Sequence, residues 1–125
     1  MTQEITRANL SQFTGTEHWY RYYPGILVTD GVKFLMDNGA AWLIDLIVSY
    51  QGEAKVKAEE RQFWTLTVDH DALTGRAVCT DGDKGDGPIT LIEQFIGFTD
   101  FPLKEITLYA FLEVNDRVIL LPSEY

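Results

Sequence analysis

A chain of 125 residues with 46% hydrophobic composition, including 7 Phe, 6 Tyr and 3 Trp, can bury a core of its own as one globular domain and is not an intrinsically disordered polymer. Nineteen acidic against ten basic residues leave a net charge of −9, which opposes direct contact with nucleic acid or an anionic membrane and makes any strongly charged partner basic. Cys79 is the only cysteine, so an intramolecular disulfide, a CxxC pair and a zinc finger are excluded.

The amino-terminal MTQEITRANL lacks the basic-then-apolar order of a signal peptide, and the apolar run from Ala40 to Val48 is too short to span a bilayer. A cytoplasmic protein without cofactor or metal is the expectation. Ile5, Asn9 and Phe13 recur at four-residue steps and predict a short helix from Thr2 to Phe13, ended by Thr14-Gly15-Thr16. The ring-rich EHWYRYYPGILV reads as extended chain broken at Pro24-Gly25. Thr29-Asp30-Gly31 supplies a cap for a second short helix over VKFLMDN, with Gly39 as the residue that stops it.

From Ala40 to Tyr50 the sequence is apolar on nearly every side, with Asp45 and Ser49 sharing one narrow stripe. This predicts a helix buried on most of its surface, the spine on which a sheet packs, with a polar continuation past Gly52 into EAKVKAEERQ. QFWTLTVD alternates, placing Trp64, Leu66 and Val68 on one face, and RAVCT returns antiparallel after HDALTG. ITLIEQFIGF is a third strand. ITLYAFLEV and RVILLP flank Asn115-Asp116 as a further hairpin. Helices first and strands afterwards give an α+β fold, with N-terminal helices packed on a mainly antiparallel β-meander of four to five strands.

The stretches QFTGTE, TDGVKFL, WLIDLI, TDFPL and LLPSEY resemble those of a family of small, uncharacterised bacterial proteins, a domain of unknown function met in cyanobacteria and on plasmid or phage-like elements. The resemblance covers both ends of the chain, with the middle hairpin looser. It implies a compact cytosolic domain and transfers no catalytic role to any residue.

Four stretches invite a chemical reading. TDGDKGDGP at 80–88 fails the EF-hand register, because the fifth and sixth loop positions counted from Asp81 are Gly85 and Asp86 and the twelfth is Ile92; it is a hairpin loop. Asp69-His70-Asp71 is a polar strand end entering a turn. Asp45, alone among apolar neighbours, is either a buried carboxylate with a raised pKa or a structural acceptor for a loop or for Arg21.

His18, Trp19, Tyr20, Arg21, Tyr22 and Tyr23 form the fourth. On a strand, Trp19, Arg21 and Tyr23 share one face and His18, Tyr20 and Tyr22 the other, so residues 19–23 make a candidate recognition surface. Three function classes follow: a non-enzymatic protein-interaction or regulatory module with a basic protein partner; an acidic mimic of nucleic acid that inhibits a DNA- or RNA-binding protein; and a small enzyme using Asp45, His18 or His70 in one pocket. Oligomeric state leaves no mark in the sequence. The module explains the small size, the aromatic N-terminal third and the lack of catalytic motifs, and the scattered acids weigh against the mimic.

Overall fold

The computed structural model describes residues 4–125. Its first helix, α1, spans only Arg7–Leu10, with Thr6 Oγ1 accepting from the Asn9 N–H at 3.0 Å. The helix expected from Thr2 to Phe13 is thus shorter, and its first two residues lie outside the described part. A single turn does not sustain itself in water; it is held here by the burial of Ile5 and Leu10.

Strand β1 (Trp19–Tyr23) turns at Pro24-Gly25 into β2 (Ile26–Thr29), with Gly25 at φ +80. Helix α2 (Asp30–Leu35) runs into a wide turn at Met36–Ala40, where Gly39 takes φ +104, a conformation glycine adopts without steric cost. The buried spine α3 (Ala41–Ser49) follows, and Leu43, Ile44 and Ile47 are buried as expected. The expected polar extension is instead a separate turn of helix, α4 (Ala54–Lys57), pinned by the buried Val56.

The remaining strands are β3 (Arg61–Asp69), β4 (Thr74–Thr80), β5 (Thr90–Ile96), β6 (Glu105–Glu113) and β7 (Asp116–Leu120), closed by a 3₁₀ turn at Pro122–Glu124. They join β1 and β2 in one seven-stranded sheet of order β1-β2-β7-β6-β3-β4-β5. The fold is α+β, but the expected meander of four to five strands is corrected in three respects. The sheet has seven strands; β2 and β7 pair in parallel; and β6 returns to the free side of β3 instead of following β5. The last hairpin turns at Val114-Asn115 rather than Asn115-Asp116, since Glu113 pairs with Asp116.

All four helices cover one face of the sheet. Toward them point Trp64, Leu66 and Val68 of β3, Ile106, Leu108 and Ala110 of β6, and Ile119 of β7, which form one buried cluster with α2 and α3. Two polar residues are sealed into this side. Gln62 is fully buried and exchanges amide hydrogen bonds with Gln51 while accepting from Trp64 Nε1 at 3.0 Å. Arg117 donates to the carbonyls of Glu59 and Glu60 at 3.0 and 2.8 Å, tying the end of α4 to β7.

The carboxyl-terminal turn locks onto the start of α2. Glu124 is buried and accepts from the Thr29 hydroxyl at 2.6 Å, the Gly31 N–H at 2.9 Å and the Leu121 N–H at 3.0 Å. Thr29 therefore does not cap its own helix, as its position suggests; a distant carboxylate does so. A Cβ at Gly31 would collide with the Leu121 side chain and the Glu124 carboxylate, so a larger residue there would have to displace the buried clasp.

Candidate functional site: the open face of the sheet

The side of the sheet away from the helices is built from rings. Tyr109 and Phe111 stack with centroids 4.9 Å apart, and Phe63 meets them edge-on at 5.0 and 5.5 Å. Tyr125 stands perpendicular to Phe111, and the Arg61 guanidinium lies over both, 4.8 Å from the Phe111 centroid and 5.3 Å from that of Tyr125. Such cation–π and edge contacts fix the cluster, in which Phe111 is buried, Phe63 and Tyr109 are half-buried and Tyr125 is exposed.

Beside this cluster lies a cleft of about 420 Å³. Leu27, Val118 and Leu120 form its floor, because the parallel register sets Leu27 beside Val118. Trp19 and Tyr125 flank it, and Trp19 leaves 56% of its surface exposed. The register also places Glu113 at one end of the floor and Thr29 at the other.

The aromatic stretch alternates as the sequence indicates. Trp19, Arg21 and Tyr23 are exposed, while Tyr20 and Tyr22 are half-buried against the helical layer. Arg21 reaches Asp116 at 3.2 Å across the open face, not Asp45. The Tyr20 hydroxyl donates to Asp30 at 3.0 Å, which raises the Tyr20 pKa, and the Glu17 amide holds the Asp30 carboxyl below the usual carboxylate range. His18 stands 3.7 Å from the same carboxylate.

Asp45 is exposed, contrary to the buried-carboxylate reading. Its position on the polar stripe of α3 brings it to β1, where it accepts from the Tyr22 hydroxyl at 2.5 Å and pushes the Tyr22 pKa up to about 12. His70 hydrogen-bonds the Phe101 carbonyl at 3.1 Å, beyond the far end of β3. His18, Asp45 and His70 thus have separate partners and do not form the shared pocket that an enzyme reading needs. Cys79 is fully buried, and burial pushes its thiol up to about 12, so it carries no nucleophile at neutral pH.

The acidic loop from Asp81 to Gly87 joins β4 to β5, the hairpin expected from its sequence. Two of its carboxylates, those of Asp81 and Asp83, are turned onto the loop itself. Asp81 accepts from the Ile89 N–H at 2.9 Å, which lowers its pKa, and Asp83 accepts from the Gly85 and Gly87 amides at 2.9 and 3.0 Å. Gly82, at φ +80, lets the chain pass the Phe63 ring, which a Cβ would strike. Asp69 likewise accepts two amides of its own turn, at the opposite end of β4. Among the described residues no group of three or more His, Cys, Asp or Glu is placed to hold a metal ion.

Sequence reasoning missed three members of the open face. Phe63, Tyr109 and Phe111 read as ordinary strand positions, and the signal that they meet is the pairing of β3 with β6, which no local pattern encodes. Leu27 and Val118 are equally ordinary until the parallel pairing sets them side by side.

A family model matches residues 4–125. The chain belongs to DUF6876, a family of unknown function. The match runs through the middle hairpin as well as both ends. No curated protein and no solved structure matches the chain. DUF6876 thus brings no activity to any position, and function rests on the geometry of this chain. Among the described residues no helix is long and apolar enough to cross a membrane.

Proposed function

We propose that the chain is a non-enzymatic interaction module that captures a segment of a partner protein in the open-face cleft. The observation that carries this reading is Trp19, 56% exposed at the rim of a cleft whose floor, Leu27, Val118 and Leu120, is apolar. A tryptophan has a large apolar surface and few rotatable bonds, so fixing it on a partner releases much water at small entropic cost. The strand holds it in place, and Arg21 and Tyr23 continue the same face.

The occupant is a segment that pairs an apolar side chain with a lysine or arginine. Leu27, Val118 and Leu120 take the apolar group, and Glu113 at the end of the floor takes the cation. The chain's net charge of −9 draws a basic partner toward this surface and repels an acidic one. The acidic-mimic reading draws less support, since Asp69, Asp81 and Asp83 each engage Oδ1 with neighbouring amides.

Selection of a random peptide library on the immobilised protein tests this. Enriched peptides should combine apolar with basic residues, and their affinity should fall at least tenfold on Trp19→Ala and on Glu113→Lys. Trp19→Ala should leave stability within about 0.5 kcal/mol, because the side chain is exposed. Peptides without basic residues, or binding indifferent to both substitutions, would sink the proposal.

A further inference from the structure

The two ends of the open-face cleft are acidic in different ways. At one end Asp116 is tied to Arg21 at 3.2 Å, and Glu113, exposed to water, has no ion-pair partner among the described residues. At the other end stands Glu124, which lines the cleft yet is only 8% exposed. Its donors, the Thr29 hydroxyl and the Gly31 and Leu121 amides, are all neutral. No Lys, Arg or His lies within ion-pairing distance of it among the described residues, and the start of α2 contributes partial charge only. A carboxylate withdrawn from water without a countercharge is costly, and a cation brought to it gains more than one brought to a surface acid.

The hydrogen bonds also set which cation fits. Oε1 of Glu124 accepts from two donors, at 2.6 and 3.0 Å, whereas Oε2 accepts only from the Gly31 N–H, at 2.9 Å. A carboxylate offers about four acceptor sites, so one remains, on Oε2. An ammonium is a point donor and can use a single site; the guanidinium fork needs both oxygens and finds Oε1 occupied. The approach over Leu120, between Trp19 and Tyr125, suits an unbranched methylene stem that lies on apolar surface and carries its charge at the tip.

The floor gives the spacing. Asp116 pairs with Glu113, and from Asp116 to Leu120 the strand advances by about 13 Å. An extended segment places the side chains of one face two residues apart, so positions i and i+4 reach the two ends of the cleft. Position i+2 then lies over Leu27 and Val118, which the parallel register sets side by side.

We propose that the cleft recognises an extended segment with a lysine at the Glu124 end, an apolar residue two positions away over the floor, and a lysine or arginine two positions further on at Glu113. This rests on the reading of the cleft as a capture site for a partner segment, and it adds a requirement that reading lacks: one of the basic positions must be lysine, with its ammonium free. Acetylation of that lysine in the partner removes its charge and so releases the segment.

Fluorescence anisotropy with short labelled peptides tests the proposal. A Lys-x-Leu-x-Lys peptide should bind the wild-type chain, while its Arg-x-Leu-x-Arg counterpart, its doubly acetylated form and a peptide of the same composition with the two lysines adjacent should each bind about tenfold more weakly. Glu124→Gln removes the charge and keeps an acceptor oxygen; it should weaken the dilysine peptide about tenfold and erase the preference for lysine over arginine. Equal binding of the dilysine and diarginine peptides to the wild type overturns the proposal, as does a preference that Glu124→Gln leaves intact. If Glu124→Gln does not fold, the peptides on the wild type decide alone. Peptides that ignore lysine and spacing but still lose affinity on Trp19→Ala overturn this proposal and leave the capture reading standing; if no peptide binds, both fall.

Discussion

Toward the helices the sheet presents branched aliphatic side chains, Leu66, Leu108 and Ile119 among them, closed over by Leu35, Ile44 and Ile47 with essentially no exposed surface. Away from the helices it presents Phe63, Tyr109, Phe111 and Tyr125, held by ring–ring contacts and by Arg61, with a cleft alongside. Aliphatic groups gain by interdigitating out of water, and they pack closely. Rings in edge and stacked contact keep their positions even where, as at Tyr125, a ring stays exposed. The division suggests that one face supplies most of the stability and the other supplies a shaped surface that tolerates change.

The largest effect expected from this contrast lies at the centre of the covered face. Ile47→Ala should lower unfolding free energy by roughly 2–5 kcal/mol, as deletion of buried methyl groups does, and urea denaturation measures it. A midpoint that does not move would mean that α3 is not the spine of the core. The near-silent response of stability to Trp19→Ala, set against its loss of peptide binding, is the counterpart on the open face.

The joint between the two faces should respond at an intermediate level. Glu124→Ala leaves the Thr29 hydroxyl and the Gly31 N–H without their acceptor in a buried site, at a cost of about 1–3 kcal/mol. Glu124→Gln keeps an acceptor oxygen and should recover part of it. Equal loss in the two variants would show that charge at the start of α2, and not the hydrogen bonds, is what matters.

The smallest effect is an alkaline one on β1. The pKa of Tyr22 rises from the ordinary value near 10 to about 12 through its bond to Asp45, so the folded state holds its proton more tightly than the unfolded chain. The stabilisation is complete below pH about 10, where both states are protonated, and fades as pH rises through about 12. Thermal midpoints of the wild type should therefore fall more steeply across that window than those of Tyr22→Phe. Parallel curves would remove Tyr22 as the source.

Much of the covered face was legible in the sequence because it is written in local periods. Alternation placed Trp64, Leu66 and Val68 on one side of β3, and it divided Trp19, Arg21 and Tyr23 from Tyr20 and Tyr22 on β1. Asp45 was harder to place, since a helix apolar almost all round can still keep one carboxylate on its outer stripe, and only the tertiary position of β1 decides what it meets. The sheet order was not legible at all. Whether β6 lies beside β5 or β3, and whether β2 finds β7, are choices among partners of similar local character, settled by how the whole set of faces closes. The open-face cluster exists only because of those choices.

The parallel pairing of β2 with β7, together with the Glu124 clasp on α2, has a consequence for how the chain is made. The strand at residues 26–29 is bonded on one side to its own hairpin partner and on the other to residues 117–119. Until residues 116–124 have been synthesised, the early hairpin and the first turn of α2 lack their neighbour, and the contact that completes them closes a loop of most of the chain, a step slow in its own right. Folding on the ribosome should then proceed from the middle outward, with β3 and β4 zipping first and residues 26–31 waiting for 117–124.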